Sequence, residues 1–223
     1  MSVFSASMPA ISRCHPVALE TWKRREHFEF FAAMDEPYHG VVVNLDCTAL
    51  MRQRRSPGVT FFLGYLHKIL LAVNATGAFR LRTDGTTVVD YECIHANVTV
   101  FRPDHTFGFC PIAFMPEPDD FSAHAAASIA RVKAAQGLCL DADGLREDLI
   151  HLSVLPDIQF TGLSHATRFG TKRSVPKISV GQCFERQGQW WMPLAVSVHH
   201  AVVDGYDVGQ FLSRLQTLYD AVA

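Results

Sequence analysis

Residues 195–208 read AVSVHHAVVDGYDV: an apolar alternating run that ends in two histidines, followed by Asp204–Gly205 and then an amphipathic segment. Side chains alternate across an extended strand, so Leu194, Val196, Val198 and His200 share one row and Ala195, Ser197 and His199 the other. An imidazole on the apolar row is disfavoured as imidazolium and keeps a nitrogen free to take a proton, which is what a general base needs. Set against this is a plainer reading, in which His200 is a core histidine bonded to backbone and Asp204–Gly205 is only the turn that starts a helix. A metal site on the two histidines is excluded on geometry, because strand neighbours point to opposite faces and cannot reach one ion.

Outward from this stretch the periods assign the rest. The run 190–200 (WWMPLAVSVHH) is a strand, joined through Arg186–Gln189 (RQGQ) to a strand over 177–185 as a hairpin. Residues 149–156 and 39–46 are further strands, and the alternating, Val- and Thr-rich 86–101 predicts paired strands. Helices are predicted over 18–34, 60–76 and 117–136. The last segment places Val208, Phe211, Leu212, Leu215, Leu218, Tyr219 and Val222 on one helical face, made to pack on the sheet. The fold class is α+β, a two-layer sandwich in which a mixed β-sheet is covered by helices, built as one domain over residues 1–223.

Among 223 residues, 22 acidic side chains nearly cancel 20 basic ones. No basic field is present to gather nucleic acid or an anionic membrane, so the expected partner is a small, roughly neutral molecule or another protein. The six cysteines, at 14, 47, 93, 110, 139 and 183, form no C-x-x-C pair and read as reduced thiols. Without a charged leader or a long apolar run, the expectation is a cytoplasmic protein.

The stretch VHHAVVDG (198–205) resembles the H-H-x-x-x-D-G signature of the chloramphenicol acetyltransferase family. Residues 22–31 carry WKRREHFEFF, similar to that family's W-x-R-x-x-H-F helix, while NVTVF (97–101) with TFGF (106–109) is similar to its central strands and LSVLP (152–156) to the strand bearing its serine. The resemblance implies transfer of acetyl from acetyl-CoA to a hydroxyl of chloramphenicol in a ternary complex, with antibiotic resistance as its result and no metal. It implies His200 as the general base, Ser153 as the oxyanion donor, and Ser179 in place of a threonine that holds a water near the intermediate. Asp204 is implied to pair with Arg24 and hold the histidine segment. A homotrimer is implied, with sites at subunit interfaces.

Several positions depart from the family pattern. In the acceptor pocket, Asp157 stands for a tryptophan, Phe31 for a tyrosine, Leu163 for a phenylalanine and Lys177 for an apolar residue, while Phe107 matches a pocket phenylalanine. Asp157 and Lys177 would have to pair with each other or meet a more polar acceptor, since unpaired charges in such a pocket are costly. Thr60 and Gln182 replace two lysines near the coenzyme. Two other readings therefore stand beside the first: an acetyltransferase of the same fold acting on a different, more polar acceptor, and a non-catalytic small-molecule binding protein. The dihydrolipoyl acyltransferase core shares the fold and a related motif, but it usually follows lipoyl domains, and none is read in this sequence.

Overall fold

The computed structural model describes residues 7–53, 60–167 and 173–221. In chain order the elements are β1 (Cys14–Pro16), α1 (Arg25–Ala32), β2 (Tyr38–Asp46), α2 (Thr48–Gln53), α3 (Phe61–Ala75), β3 (Leu81–Thr83) and β4 (Val88–Tyr91). There follow β5 (His95–Phe101), β6 (Phe107–Ile112), α4 (Pro118–Ala134), β7 (Leu149–Leu155), β8 (Lys177–Gly181), β9 (Phe184–Arg186), β10 (Gln189–His199) and α5 (Gly205–Asp220).

The main sheet runs β2-β10-β8-β7-β5-β6, with β9 added beside β10. Its outer pairs are antiparallel and β8-β7-β5 are parallel, so the sheet is mixed. One face is apolar: Leu194, Val196 and Val198 of β10 lie with Ile178, Val180, Leu152 and Val98 in the buried core. α3 and α5 cover it. Thr60 caps α3, its hydroxyl accepting from the Leu63 N–H at 3.3 Å. Val208, Phe211, Leu215 and Tyr219 of α5 are buried, as the helical face predicts, with Leu212 and Leu218 half-buried; Val222 lies outside the described residues.

The other face is polar. Register places Ser153, Ser179, Ala195 and Val42 in one row across β7, β8, β10 and β2, and His151, Lys177, Ser197 and Gly40 in the row beside it. Residues paired in register share a face, so three serines, a lysine and a histidine stand on the side away from the helices.

Four predicted elements differ. The helix over 18–34 is confined to α1, because residues 18–22 close with i→i+3 bonds from Thr21 and Trp22 that do not propagate. The pairing over 86–101 does not occur: β4 joins β1 and β3 in a separate three-stranded sheet, and β5 joins β7 and β6. Between β4 and β5 the chain has no tight-turn residues and instead crosses from one sheet to the other. The TFGF segment, matched to central strands, lies in β6 at the sheet edge. The strand over 177–185 breaks after Gly181, where the Gln182 N–H turns to the Ile158 carbonyl at 2.8 Å. A Cβ on Gly181 would meet that carbonyl at 2.9 Å, so glycine is required there by close approach. The RQGQ hairpin forms as predicted, its two turn residues Gln187 and Gly188 both at positive φ, 55° and 79°, the pattern of a tight turn matched to strand twist.

Candidate active site

The segment after β10 is built by its own backbone. The Val202 and Val203 N–H groups donate to the His199 carbonyl at 3.1 and 3.0 Å, which ends the strand one residue before His200 and takes His200 off the apolar row. The burial argument made from alternation therefore falls on the wrong histidine. His199 is 3% exposed and burial, with His200 nearby, lowers its pKa to about 4, whereas His200 is only partly covered.

What surrounds His200 is nonetheless specific. Phe31 lies parallel to its ring at 3.7 Å between centroids and 4° between planes, and His39 tilts over it at 4.2 Å and 34°. The His200 N–H donates to the Pro37 carbonyl at 2.8 Å. Its Nδ1 is buried and has no partner among the described residues, which leaves Nε2 as the ring nitrogen open to a substrate. His39 donates from Nε2 to the Val203 carbonyl at 3.2 Å, so its tautomer is set by the loop it braces. Burial lowers the His39 pKa, and His200 adds to that effect.

Asp204 is both helix cap and ion-pair partner, the two roles that the sequence left open. Its Oδ1 accepts from the Tyr206 and Asp207 N–H groups at 2.9 and 3.2 Å, and Asp207 returns a bond to the Asp204 N–H at 3.0 Å. Its Oδ2 pairs with Nη1 of Arg24. Burial works to raise the Asp204 carboxyl, but the guanidinium and the two backbone donors outweigh it and hold the pKa below the usual carboxylate range. Arg24 sits at the N-cap position of α1, one residue ahead of the helix proper. The pair thus ties the start of α1 to the start of α5 across the His200 loop.

A second group stands on the polar sheet face. Ser153 and Ser179 are register partners on β7 and β8. Ser179 is 1% exposed, and its hydroxyl meets Nε2 of His165 at 2.9 Å. Lys177, two residues along, donates to the Ala166 carbonyl at 3.0 Å and the Thr167 hydroxyl at 3.1 Å. Its ammonium lies 4.9 Å from the Tyr38 ring centroid. Burial lowers the pKa of both Lys177 and His165. Asp157 is exposed in the turn after β7 and makes no ion pair among the described residues, so the suggested Asp157–Lys177 pairing does not form.

Leu163 lines a cleft of about 440 Å³ with Tyr38, His39, His165 and Ser197. Phe107 is 44% exposed on β6, at the far edge of the sheet from His200, and packs edge-on against Phe109. No hydrogen bond or ring contact joins His200, Phe31, Arg24 and Asp204 to Ser153, Ser179, Lys177 and Phe107 among the described residues of one chain. A third feature is a cleft of about 950 Å³ whose lining includes Thr60, Gln182, Lys133, Tyr65, Trp190 and Cys183. It brings both positions that replace family lysines into one place, with Lys133 of α4 as the cation in its lining.

His39, His165 and Tyr38 were not singled out in the sequence. Tyr38 and His39 could have been found by pairing 38–46 against 191–199, because register sets them opposite His199 and Val198. His165 lies in an irregular segment with no period to read.

The family model described as chloramphenicol acetyltransferase matches residues 14–216. A chloramphenicol acetyltransferase of Streptomyces acrimycini is 30% identical over 207 residues, covering 91% of this chain and 93% of that protein. One from Klebsiella sp is 27% identical over 205 residues, covering 92% and 93%. A solved chloramphenicol acetyltransferase superposes with a TM-score of 0.85 at 25% identity, covering 92% of this chain and 99% of that one. With the signature histidines, the Arg24–Asp204 tie and the Ser153 strand all inside the matched span, this chain belongs to the chloramphenicol acetyltransferase family.

Proposed function

We propose that this protein transfers acetyl from acetyl-CoA to a hydroxyl of chloramphenicol by direct attack in a ternary complex. The observation that carries the reading is the His200 arrangement: an imidazole sandwiched between Phe31 and His39, with its loop tied by Arg24 and Asp204 and Nε2 left open. In the reaction Nε2 takes the hydroxyl proton as the oxygen attacks the thioester carbonyl. The Ser153 hydroxyl donates to the oxyanion. Collapse of the tetrahedral intermediate expels the coenzyme thiolate, which recovers the proton from the imidazolium. A donor aimed at such developing charge is worth about 3 kcal/mol. The 950 Å³ cleft has the size and the cation, Lys133, for the acyl-CoA.

The active unit is a trimer in this reading. No hydrogen bond or ring contact joins the His200 group to the Ser153 group among the described residues of one chain, and a three-fold assembly would set one subunit's histidine over its neighbour's serine face. The polar sheet face, with its three serines and Lys177, is the surface such a neighbour would cover.

A second reading changes the acceptor and keeps the chemistry. Lys177 is held by a carbonyl, a hydroxyl and an aromatic ring, with no carboxylate bonded to it among the described residues. That charge favours a more polar acceptor than an aromatic nitro-alcohol. The deciding experiment measures coenzyme thiol release from acetyl-CoA by purified protein, with and without chloramphenicol, alongside His200→Ala. Release that needs both chloramphenicol and His200 supports the first reading. A folded protein that binds acetyl-CoA but releases nothing with chloramphenicol moves the weight to the second, and binding of chloramphenicol without turnover moves it to a binding protein.

A further inference from the structure

Two cysteines far apart in sequence meet at the wall of the large cleft. Cys183 lies in the irregular Gln182–Cys183 break between β8 and β9, partly exposed and lining the cleft. Cys47 lies behind it at the junction of β2 and α2, fully buried. Their Sγ atoms are 3.9 Å apart, with the Cys47 S–H directed at Cys183. Cys47 is set there by backbone, its N–H donating to the Trp190 carbonyl at 2.8 Å and its own carbonyl accepting from Met51 at 2.9 Å.

We propose that Cys183 and Cys47 form a redox-active dithiol, in which Cys183 reacts with a small-molecule disulfide entering the cleft and Cys47 resolves the product. The chemistry is a two-step exchange. The Cys183 thiolate attacks one sulfur of a disulfide RSSR, forming the Cys183–S–S–R mixed disulfide and releasing one thiolate, which takes up a proton. The Cys47 thiol then loses its proton and attacks the Cys183 sulfur, closing Cys47–Cys183 and releasing the second RSH. Two protein thiols are oxidised and RSSR is reduced to two thiols, so atoms and electrons balance.

The division of roles follows from position and from the shared proton. Only Cys183 of the two lines the cleft. The Cys47 hydrogen bond lowers the Cys183 thiol, while that same bond and burial raise Cys47, so Cys183 ionises first. Closure requires the sulfurs to move from 3.9 Å to about 2.05 Å. Neither Cys47 nor the Gln182–Cys183 break is held in regular structure, and their approach draws in the wall that carries Gln182. The resulting loss of acetyl-CoA binding rests on the coenzyme reading above; the dithiol chemistry does not.

The test uses the full chain with Cys14→Ser, which removes the exposed thiol, incubated with glutathione disulfide, quenched and mapped by mass. The expected product has lost two hydrogens and joins the peptides of Cys47 and Cys183. Cys47→Ala should stop at a glutathione adduct on Cys183, and Cys183→Ala should leave Cys47 unmodified. An adduct on Cys47 before Cys183, a persistent mixed disulfide with Cys47 still reduced, or no reaction at Cys183 would each overturn the proposal. The order of adducts in the parent protein decides the matter even if a variant fails to fold. Acetyl-CoA binding, read before oxidation, after it and after dithiothreitol, should be present, lost and restored. A cross-link without any coenzyme binding in the reduced protein would sink the coenzyme reading alone. Binding in the reduced protein without a cross-link would sink the dithiol alone, and binding unchanged by the cross-link would overturn the effect on the cleft.

Discussion

Asp204 divides its carboxylate between two tasks: Oδ1 caps α5 and Oδ2 pairs with Arg24. Substitutions can separate these. Asp204→Asn keeps a cap acceptor and removes the charge, whereas Asp204→Ala removes both. Loss of the cap costs about 1 kcal/mol. Losing a fully buried partner costs about 3–5 kcal/mol, and the loss at Arg24 should be about half that or less, because the pair keeps a quarter to a third of its side-chain surface exposed and Asp207 stays 3.9 Å from Nη1. Denaturant midpoints should fall in the order Asn, then Ala. In a double-mutant cycle with Arg24→Met the Asn effect should shrink sharply, and additive losses would show that the pair contributes nothing.

His199 and His200 should fail differently. His200→Ala removes the open Nε2, so turnover should vanish while the fold and coenzyme binding persist. His199→Ala empties a site that is 3% exposed beneath Tyr38, and large-to-small changes in such sites cost about 2 kcal/mol or more. A lower melting temperature with kcat retained by the folded fraction is the expected outcome. Equal loss of kcat in both would refute the assignment of the base to His200.

Phe31 positions the base by lying flat on it at 3.7 Å. Aromatic pairs of this kind are worth about 0.5–1.5 kcal/mol. If that energy is spent on holding the ring, Phe31→Leu should lower kcat several-fold to about tenfold. Phe31→Tyr should retain the rate. Equal KM for acetyl-CoA in all three proteins would place the effect on the imidazole and not on the cleft.

How much of this was legible depended on whether local chemistry alone decides the structure. β10, α5 and the RQGQ turn follow from alternation, helical spacing and a glycine at positive φ, and each stands where the sequence puts it. The placement of His200 on the buried row went wrong because the turn begins at His199, and backbone bonds from Val202 and Val203, not side-chain periodicity, place that end. β4 and β5 share a sequence pattern but belong to different sheets, since alternation gives a face and never a partner. Ser153, Ser179, Asp204 and Arg24 came from a motif, while His165 and the Cys47–Cys183 contact join irregular segments that only the folded chain brings together.

Buried neutral histidines set the acid limit of the fold. His199 and His95 are 3% and 4% exposed, and burial lowers each from an ordinary value of 6.5 to about 4. A histidine that is neutral in the folded state and protonated in the unfolded one makes the unfolded state bind more protons between those two values. Stability is therefore unaffected by these groups above about pH 6.5, falls as pH drops from 6.5 toward 4, and levels off once the folded state is protonated as well. Each group contributes on the order of 3 kcal/mol across that window. Denaturation followed from pH 8 to 4 should show the loss beginning near pH 6.5, well above the range in which carboxylates titrate. His199→Gln should flatten that segment of the curve even if it lowers stability at pH 8. A curve unchanged in slope by the substitution would mean that His199 is solvated or already charged in the folded protein.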